Sequence, residues 1–329
     1  MLIALFACLS GICSGARGIS GKVPVRLVMS SQVYTLMPLI LAQSLGYYDE
    51  EGLAVHIENL QSNTNAVRAL VGGSADVSTG TLTQVLSLVA DGRDVKAFSS
   101  LMVQSQIVFV ASPGWSRAIR TVQDLRGAPI GVGGFGGPYS ITLNWMLAQN
   151  GLSVSDVTLV NIGTLATAVA AVRRAKVAAA VLNDVEYLTL RKQGVEPRML
   201  VDTRGLENTK RCFGAEIYPT SVLIASGPWL RRNPATARRF ALATTRAMRW
   251  MHRQSPASVV DKFPPEYRSD REIDIEVTST FLPMFSDDGT ISRRGAEAVR
   301  RVASVSVPAL RNGALDLSRT YTNQFVGQE

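Results

Sequence analysis

The feature that most constrains the fold is an order of strands and helices that occurs twice along the chain. The first copy opens with the apolar, β-branched run VPVRLVM, which predicts a buried strand, and continues into the helical segment LMPLILAQSLGYY. The second copy opens with the strand APIGVGG and the helix ITLNWMLAQN. Strands that alternate with helices indicate parallel sheets with crossover helices. We therefore predict an α/β protein with two similar lobes across a cleft, which the length of 329 residues also favours.

The net charge and the cysteines narrow the classes of partner. The formal charge of +8 favours anions, but the basic residues are scattered as pairs such as Arg173-Arg174, without the aromatic context of a nucleic-acid site. Cys212 would stand alone once a leader containing Cys8 and Cys13 is removed, so we expect no intramolecular disulfide and no cysteine-based metal site. We expect neither a nucleic acid nor a metal as a partner.

The first residues resemble a secretory leader. MLIALFACLSGICSGARG is an apolar run followed by small residues, as in a signal peptide, although a basic start is missing. We assign residues 1–21 to this signal and expect a periplasmic protein. Two alternatives stay open. The segment that ends at Cys8 also resembles a lipoprotein cleavage box, which would anchor the chain to a membrane, and a buried first strand is the other explanation of the apolar run.

A glycine-rich stretch, GVGGFGGPYS, raises the question of a cofactor. It contains the pattern G-x-G-x-x-G at Gly131, Gly133 and Gly136, which holds a pyrophosphate in dinucleotide-binding folds. Those folds also need an acidic residue at the end of the second strand, where this chain has Asn161. We therefore expect no nicotinamide or flavin cofactor. The remaining interpretations are a glycine turn before a helix that starts at Pro138, whose free N–H groups suit an anionic ligand group, or a turn that only joins strand to helix.

The sequence offers few groups for catalysis. His56 and His252 lie on separate predicted elements and lack a metal-ligand spacing. The nucleophile pattern G-x-S-x-G is absent, and Cys212 has no base nearby in sequence. We predict that the protein is not an enzyme.

Several segments, taken in order, resemble one family. MPLILAQSLGYYDEEGLAVHIEN is similar to the opening P-L-x-x-A-x-x-x-G-Y-(F/Y)-x-x-E-G-L-x-V of the periplasmic substrate-binding proteins of ABC importers for nitrate, sulfonates, taurine and thiamine-precursor pyrimidines. Later segments of this family resemble LVGGSADVSTGT, TVQDLRGAPIGVGGFGG, YPTSVLIASGPWLRRNPATARRFALATTRAMRW and YTNQFV. The similarity extends from about Val25 to Val326. The run from Ala175 to Ala179 departs from the pattern G-x-x-D-A and provides no polar anchor before Asn183 and Asp184.

The resemblance implies a periplasmic-binding-protein type II fold, in which two Rossmann-like lobes are joined by two crossing segments around a central ligand cleft. We expect the crossings near Phe109 to Pro113 and near Ile217 to Ile224. The first lobe would comprise residues 22–110 and the return 217–329 with its C-terminal helices, and the second lobe residues 111–216. The lobes would close on a small-molecule ligand, and the closed monomer would dock on an ABC permease with its cytoplasmic ATPase.

Polar loops at the strand ends supply the candidate ligand contacts, since hydroxyls and amides orient a polar ligand and tyrosines stack on a planar one. In the first lobe and at the second crossing, the candidates are Ser30, Ser31, Gln32, Tyr34, Asn63, Thr64, Thr79, Gly80, Thr81 and Tyr218. In the second lobe they are Gly136, Gly137, Tyr139, Ser140, Asn183 and Asp184. The alternative for each is a structural role: a helix cap at Thr81, hinge packing at Tyr218 and a solvent-facing turn at Asp184.

We predict the solute-binding subunit of an ABC importer for a small polar or anionic solute of the sulfonate, taurine, nitrate, carboxylate or pyrimidine type. The positive charge and the glycine turn favour an anion, whereas Tyr34, Tyr139 and Asp184 favour a flat, hydrogen-bonding heterocycle. Two alternatives stay open. One is a ligand-sensing subunit, and the other is an enzyme on the same fold, of the menaquinone-pathway type or of the thiamine-pyrimidine type, whose cysteine-rich active segment this chain lacks.

Overall fold

The computed structural model describes residues 21–29, 34–60, 63–311 and 315–327. Within these residues the chain forms two five-stranded sheets with helices packed on them, and a cleft lies between the two resulting lobes. The prediction of an α/β protein with two lobes is confirmed. The predicted leader lies outside the described residues, except for its last position, and stays a prediction.

The strands alternate with helices along both lobes. In chain order they are β1 (Val23–Met29), β2 (Leu53–Asn59), β3 (Val77–Gly80), β4 (Val95–Met102), β5 (Ile107–Ala111), β6 (Pro129–Val132), β7 (Thr158–Asn161), β8 (Ala179–Asn183), β9 (Arg198–Asp202) and β10 (Ser221–Ser226). The helices are α1 (Met37–Ser44), α2 (Tyr47–Glu50), α3 (Asn63–Val71), α4 (Leu82–Ala90), α5 (Pro138–Gln149), α6 (Ala166–Arg173), α7 (Asp184–Lys192), α8 (Leu206–Phe213), α9 (Gly227–Arg232), α10 (Pro234–His252), α11 (Pro256–Val260), α12 (Arg271–Phe281) and α13 (Arg293–Ser304).

Both sheets follow one plan. The first has the strand order β2-β1-β3-β10-β4, and the second has the order β7-β6-β8-β5-β9. In each sheet three parallel strands are followed by one antiparallel strand, β10 or β5, and then by an edge strand. The carboxyl ends of β3 and β6 both lie at the cleft, which is where open α/β sheets bind their ligands.

The first crossing lies earlier than predicted. The chain passes from the first sheet to the second through residues 103–106, whereas the prediction was near Phe109 to Pro113. Phe109 lies inside β5, where it pairs with Val181 on one side and Val201 on the other. The apolar run IVFVA is therefore a buried central strand of the second sheet. The return to the first sheet runs through residues 214–220.

Two details concern the helices. The segment LMPLILAQSLGYY, predicted as one helix, forms α1 and α2, because Gly46 between them adopts a left-handed conformation with φ of 78°. In the part of the chain that the structure describes, none of the helices combines the length and the apolar character needed to cross a bilayer.

The core of the first lobe lies between its sheet and the helices α1 and α10. Phe98 of β4 and Phe240 of α10 are fully buried there, with ring centroids 6.5 Å apart. Phe325 meets Phe98 edge-on at 6.2 Å and so ties the C-terminal segment to this core. Burial of each such ring stabilises the fold by roughly 1.5–3 kcal/mol.

Two helices of the second lobe also pack on the first lobe. Leu188 of α7 belongs to the apolar core of the first lobe, and Lys192 Nζ lies 2.8 Å from Asp270, just before α12. Helix α5 packs with α4 and α13, and Asn144 Nδ2 donates to Ser306 Oγ at 2.8 Å. These contacts hold the lobes together in addition to the crossing segments.

Candidate ligand-binding cleft

The cleft between the lobes has a volume of about 710 Å³, which is typical of a small-molecule site. One wall comes from the first lobe: α3, the turn after β3 and the start of α4. The opposite wall is the loop between β6 and α5, which we call the glycine loop (residues 133–137). Residues 105–107 and 218–221, at the two crossings, also line the cleft, so both lobes and both crossings contribute to it.

The conformation of the glycine loop depends on glycine at specific places. Gly134 and Gly136 have φ values of 146° and 72°, which a residue with a side chain rarely adopts. Ser140 Oγ in the first turn of α5 donates to the Gly134 carbonyl at 2.6 Å and closes the loop. Ser140 is thus used by the loop itself and does not line the cleft, contrary to its predicted ligand contact.

The motif glycines before the loop have a packing role. A Cβ atom at Gly131 would lie 2.7 Å from Ile162 Cδ1, so a larger residue at this position of β6 would force the Ile162 side chain to move. Asn161, at the position where a dinucleotide site needs an acid, accepts the N–H of Gly163 through Oδ1 at 3.0 Å. The pattern G-x-G-x-x-G is explained by close packing and by turn geometry.

Phe135, at the centre of the glycine loop, is a site residue that the sequence prediction missed. Its side chain lines the cleft and is 62 % exposed, the largest fraction among the large apolar side chains described. An aromatic ring with a free face can stack on a planar ligand. A signal was present in the sequence, because an aromatic residue with glycines on both sides has no neighbouring side chain against which to bury.

The opposite wall carries a positive charge. Arg68 of α3 is the one charged residue among the described residues that line the cleft, and its guanidinium makes no hydrogen bond or ion pair with any of them. Helix α5 starts across the cleft at Pro138, and Gly137 before it supplies no side-chain cap. A guanidinium and the N–H groups of an uncapped helix start both stabilise an anionic or electron-rich ligand group.

Part of the predicted set is brought together here. Thr81 lines the cleft and is also the helix cap of the alternative interpretation: its Oγ1 accepts the N–H of Gln84 at 3.2 Å, and Gln84 Oε1 accepts its N–H at 2.9 Å. Tyr218 stacks on Phe213 with centroids 4.2 Å apart and contributes to the lining near the crossings. The predicted residues that line the cleft are Gly80, Thr81, Gly136, Gly137, Tyr139 and Tyr218.

Tyr34 and Thr79 do not line the cleft. The Tyr34 hydroxyl donates to the Asp274 carboxylate and lies 3.1 Å from Ser269 Oγ, while its ring meets Phe281 edge-on. Burial and the bond to Asp274 raise the pKa of Tyr34. Thr79 is fully buried inside the first sheet. Both predictions failed because elements distant in sequence, α12 and β10, cover these residues.

Asn183 and Asp184 serve the structure of the second lobe. Asn183 caps α7, and its Nδ2 donates to the hydroxyl of Tyr139 at 3.1 Å. Asp184 is fully buried and forms an ion pair with Arg204, which also binds Asp202 at 2.7 Å. Burial raises the pKa of Asp184, and Arg204 opposes the rise. The predicted ligand contact of Asp184 is wrong, and so is its alternative of a solvent-facing turn, because the side chain is buried and paired inside the lobe.

Five predicted contacts stay predictions. Ser30, Ser31 and Gln32 lie outside the described residues. Asn63 and Thr64 open helix α3, but their side chains are also outside the description.

The described residues offer contacts for binding and few groups for bond making. No three His, Cys, Asp or Glu side chains in the described ranges are grouped so that they could hold a metal ion. His56 is exposed on β2, and His252 contacts the Leu282 carbonyl and the Asp287 carboxylate. Burial raises the pKa of the Cys212 thiol, which lowers its thiolate fraction at neutral pH.

A protein-family model matches most of the chain. Residues 34–257 match the model described as NMT1/THI5 like, and this stretch includes both crossings, the glycine loop and Arg68. The chain belongs to the NMT1/THI5-like family. The resemblance predicted from the motifs is confirmed.

Two curated proteins are similar to the chain over different lengths. The riboflavin-binding protein RibY from Chloroflexus aurantiacus is 29% identical over 309 residues, which cover 88% of this chain and 82% of RibY. The 4-amino-5-hydroxymethyl-2-methylpyrimidine phosphate synthase of Schizosaccharomyces pombe is 34% identical over 129 residues, which cover 39% of this chain and 36% of the synthase. The relatives are thus named for binding in one case and for synthesis in the other.

Solved structures share the whole architecture. A protein from Bordetella bronchiseptica RB50 has a TM-score of 0.80 at 29% identity, covering 93% of this chain and 96% of that one. The alkanesulfonate-binding protein SsuA from Xanthomonas axonopodis pv. citri, solved with MOPS bound, has a TM-score of 0.68 at 19% identity, covering 88% of this chain and 93% of SsuA. The predicted periplasmic-binding-protein fold is confirmed.

Proposed function

We propose that this NMT1/THI5-like protein is the extracytoplasmic solute-binding subunit of an ABC importer. The observation that carries the proposal is the position of Phe135 and Arg68 on opposite walls of a cleft of about 710 Å³ between two lobes. A planar ring stacked on Phe135, with a polar group near Arg68, would contact both lobes at once.

The volume of the cleft narrows the class of ligand. A nitrate ion would leave most of 710 Å³ unfilled, whereas clefts of roughly 300–1,000 Å³ bind drug-sized molecules. We favour a planar heterocycle with a polar or anionic substituent. The names of the relatives support this class, since one is a riboflavin-binding protein and the other a pyrimidine phosphate synthase. The MOPS bound to SsuA keeps sulfonates in the panel of candidates.

Transport would follow from closure of the lobes. A ligand that touches both walls binds the closed arrangement better than an open one, so it shifts the population towards closure. A permease that recognises both lobes in this arrangement would distinguish loaded from empty protein. The proposal includes export, with residues 1–21 as the signal peptide and lipid anchoring at Cys8 as the variant. The exported protein would be a monomer, with a first lobe of residues 22–110 and 217–329 and a second lobe of residues 111–216. The first of these boundaries is moved to residues 103–106, where the chain crosses between the sheets.

Calorimetric titration of the purified protein tests the proposal. Riboflavin, MOPS, 4-amino-5-hydroxymethyl-2-methylpyrimidine and nitrate are added separately, and we expect one organic compound to bind at one site per chain. Phe135→Ala should weaken that binding about tenfold, because the stacking surface is lost. Leu206→Ala is the matched control, since Leu206 is also an exposed apolar residue of the second lobe but does not line the cleft. Equal affinity of Phe135→Ala and the unmodified protein would contradict the proposal.

A second candidate function is supported by the similarity to the synthase over 129 residues. An enzyme would convert more than one equivalent of a bound compound, whereas a binding subunit returns it unchanged. Mass spectrometry of each compound after prolonged incubation separates the two cases. A ligand-sensing subunit would share the cleft and would be recognised by co-purification with a membrane receptor in place of a permease.

A further inference from the structure

Behind the glycine loop, one buried carboxylate joins two segments of the second lobe. Glu186 in α7 is 2 % exposed. Its Oε1 accepts the N–H of Leu165 at 2.8 Å, and its Oε2 accepts the N–H of Asn183 at 2.9 Å. A single side chain therefore fixes the loop before α6 relative to the start of α7.

The bond to Leu165 reaches the cleft through the loop before α6. Leu165 has φ of 53° and ψ of −121°, a conformation that a leucine keeps only when its surroundings hold it. The preceding residue, Thr164, lines the cleft, and a Cβ atom at Gly133 would lie 3.2 Å from its Cγ2. The position of the Leu165 N–H thus sets how Thr164 approaches the glycine loop.

The bond to Asn183 reaches the cleft through Tyr139. The N–H of Glu186 donates to Asn183 Oδ1 at 2.9 Å, which completes a reciprocal capping box at the start of α7. The box orients the Asn183 amide, whose Nδ2 donates to the Tyr139 hydroxyl at 3.1 Å. Tyr139 lines the cleft at the start of α5. The hydrogen bonds of both Glu186 oxygens therefore lead to residues on the same wall of the cleft, Thr164 and Tyr139.

We infer that Glu186 is a positioning residue of the ligand site, whose ionised carboxylate holds Thr164 and Tyr139 at the spacing that the ligand meets. The inference rests on the proposed function, because it concerns the same cleft. The ionised carboxylate is an acceptor at both oxygens, whereas a protonated carboxyl is a weaker acceptor at its hydroxyl oxygen and an amide places an N–H donor at one of the two positions. Neither Leu165 nor Asn183 has another side chain of α7 that accepts its N–H among the hydrogen bonds described.

The surroundings of the Glu186 carboxyl place its pKa within a pH range in which binding can be measured. Burial raises the pKa of Glu186 to about 7, and the N–H bonds from Asn183 and Leu165 oppose the rise. Arg173 and Glu186 both line a groove between α6 and α7 that is separate from the cleft, and the Arg173 guanidinium donates to Gln193 Oε1 at 3.2 Å. The neighbouring carboxylate of α7, Asp184, is paired with Arg204. Protonation of Glu186 should therefore loosen the wall without a second charge to compensate.

Binding of riboflavin at several pH values tests the role of Glu186. In phosphate buffer we expect the affinity to rise roughly three- to tenfold between about pH 5.5 and 8.5, as one hydrogen bond is regained. Glu186→Gln should bind more weakly and lose this pH dependence. Glu207→Gln, a change at an exposed glutamate of the same lobe, should keep it. A Glu186→Gln variant with the affinity and pH profile of the unmodified protein would overturn the inference.

Amide hydrogen exchange without ligand tests the same contact separately. At about pH 8, Glu186→Gln should speed the exchange of either the Leu165 or the Asn183 amide about tenfold relative to Glu207→Gln, because the glutamine keeps one oxygen and one of the two N–H groups loses its acceptor. Unchanged rates at both amides overturn the role of Glu186, whether or not riboflavin binds. Faster exchange in a protein that binds no riboflavin counts instead against the proposed ligand class.

A second variant covers the case in which Glu186→Gln does not fold. Tyr139→Phe removes the hydroxyl that accepts from Asn183 and leaves the Leu165 bond in place. We expect weaker riboflavin binding with an unchanged exchange rate at Leu165. Unchanged affinity in Tyr139→Phe, together with an affinity of the unmodified protein that does not vary with pH, would also overturn the inference.

Discussion

The third parallel strand of each sheet leads into a helix with the same capping device, but the two lobes use it differently. In the first lobe β3 is followed by α4, where Thr81 and Gln84 form a capping box; in the second, β8 is followed by α7, where Asn183 and Glu186 form one. The first box is half-buried on the cleft wall, whereas the second is buried behind the wall. The comparison shows that one local pattern can supply a ligand surface in one lobe and support the surface in the other.

The residue that follows each cap also differs between the two lobes. Leu82 follows Thr81 and is fully buried among apolar side chains. Asp184 follows Asn183, is equally buried, and depends on Arg204 for its counter-charge. An unpaired buried charge is costly, so the start of α7 contains an electrostatic dependence that the start of α4 lacks.

The largest expected effect comes from removal of that counter-charge. Arg204→Met leaves Asp184 buried without a partner and should lower the free energy of unfolding by about 3–5 kcal/mol. The double change Arg204→Met with Asp184→Leu imitates the first lobe and should regain most of the loss. Urea unfolding of the three proteins measures this. A loss below about 1 kcal/mol in Arg204→Met would mean that Asp184 does not need its partner.

A smaller effect should appear in the pH dependence of stability. The pKa of Glu186 is about 7 in the folded protein against an ordinary value of 4.5, so the unfolded chain releases this proton at lower pH. The contribution of the group to stability is therefore complete below about pH 4.5 and is lost as the pH rises through about 7.

Thermal unfolding between about pH 5 and 8 measures this contribution as the difference between the unmodified protein and Glu186→Gln, in which the decline should be smaller. The matched change in the first lobe, Gln84→Glu, puts a carboxylate at a half-buried position and should leave the profile near neutral pH unchanged. An identical decline in Glu186→Gln and the unmodified protein would contradict the assignment. Ligand binding should change with pH in the opposite direction, which separates the two effects.

The smallest expected change in stability comes from the capping box of the first lobe, formed by Thr81 and Gln84. Thr81→Ala removes the cap of α4 and should lower the free energy of unfolding by about 1 kcal/mol. Thr83→Ala, at the second residue of the same helix and without a capping role, should stay within about 0.5 kcal/mol of the unmodified protein. Urea unfolding distinguishes them, and equal losses would indicate that the cap contributes nothing of its own.

The predictions from sequence succeeded where a residue's role depends on its near neighbours. The glycine loop was found because Gly136 and Gly137 precede a helix that starts at Pro138, and Thr81 was recognised as a cap from its place before an apolar helix. They failed where the partner is remote in the chain. Tyr34 bonds to Asp274, 240 positions away, and no local pattern indicates that pairing.

The sequence by itself determined the α/β plan, the two lobes, the glycine loop and the helix caps, because these depend on the order of residues within one or two turns of chain. Only the tertiary structure decided which polar groups remain available to a ligand. In the tertiary structure Asp184 pairs with Arg204, and Glu186 of α7 is buried against the loop before α6. Phe135 and Arg68 remain on facing walls of the cleft. Burial and pairing depend on elements brought together across the whole fold, and these decide whether a side chain supports the site or meets the ligand.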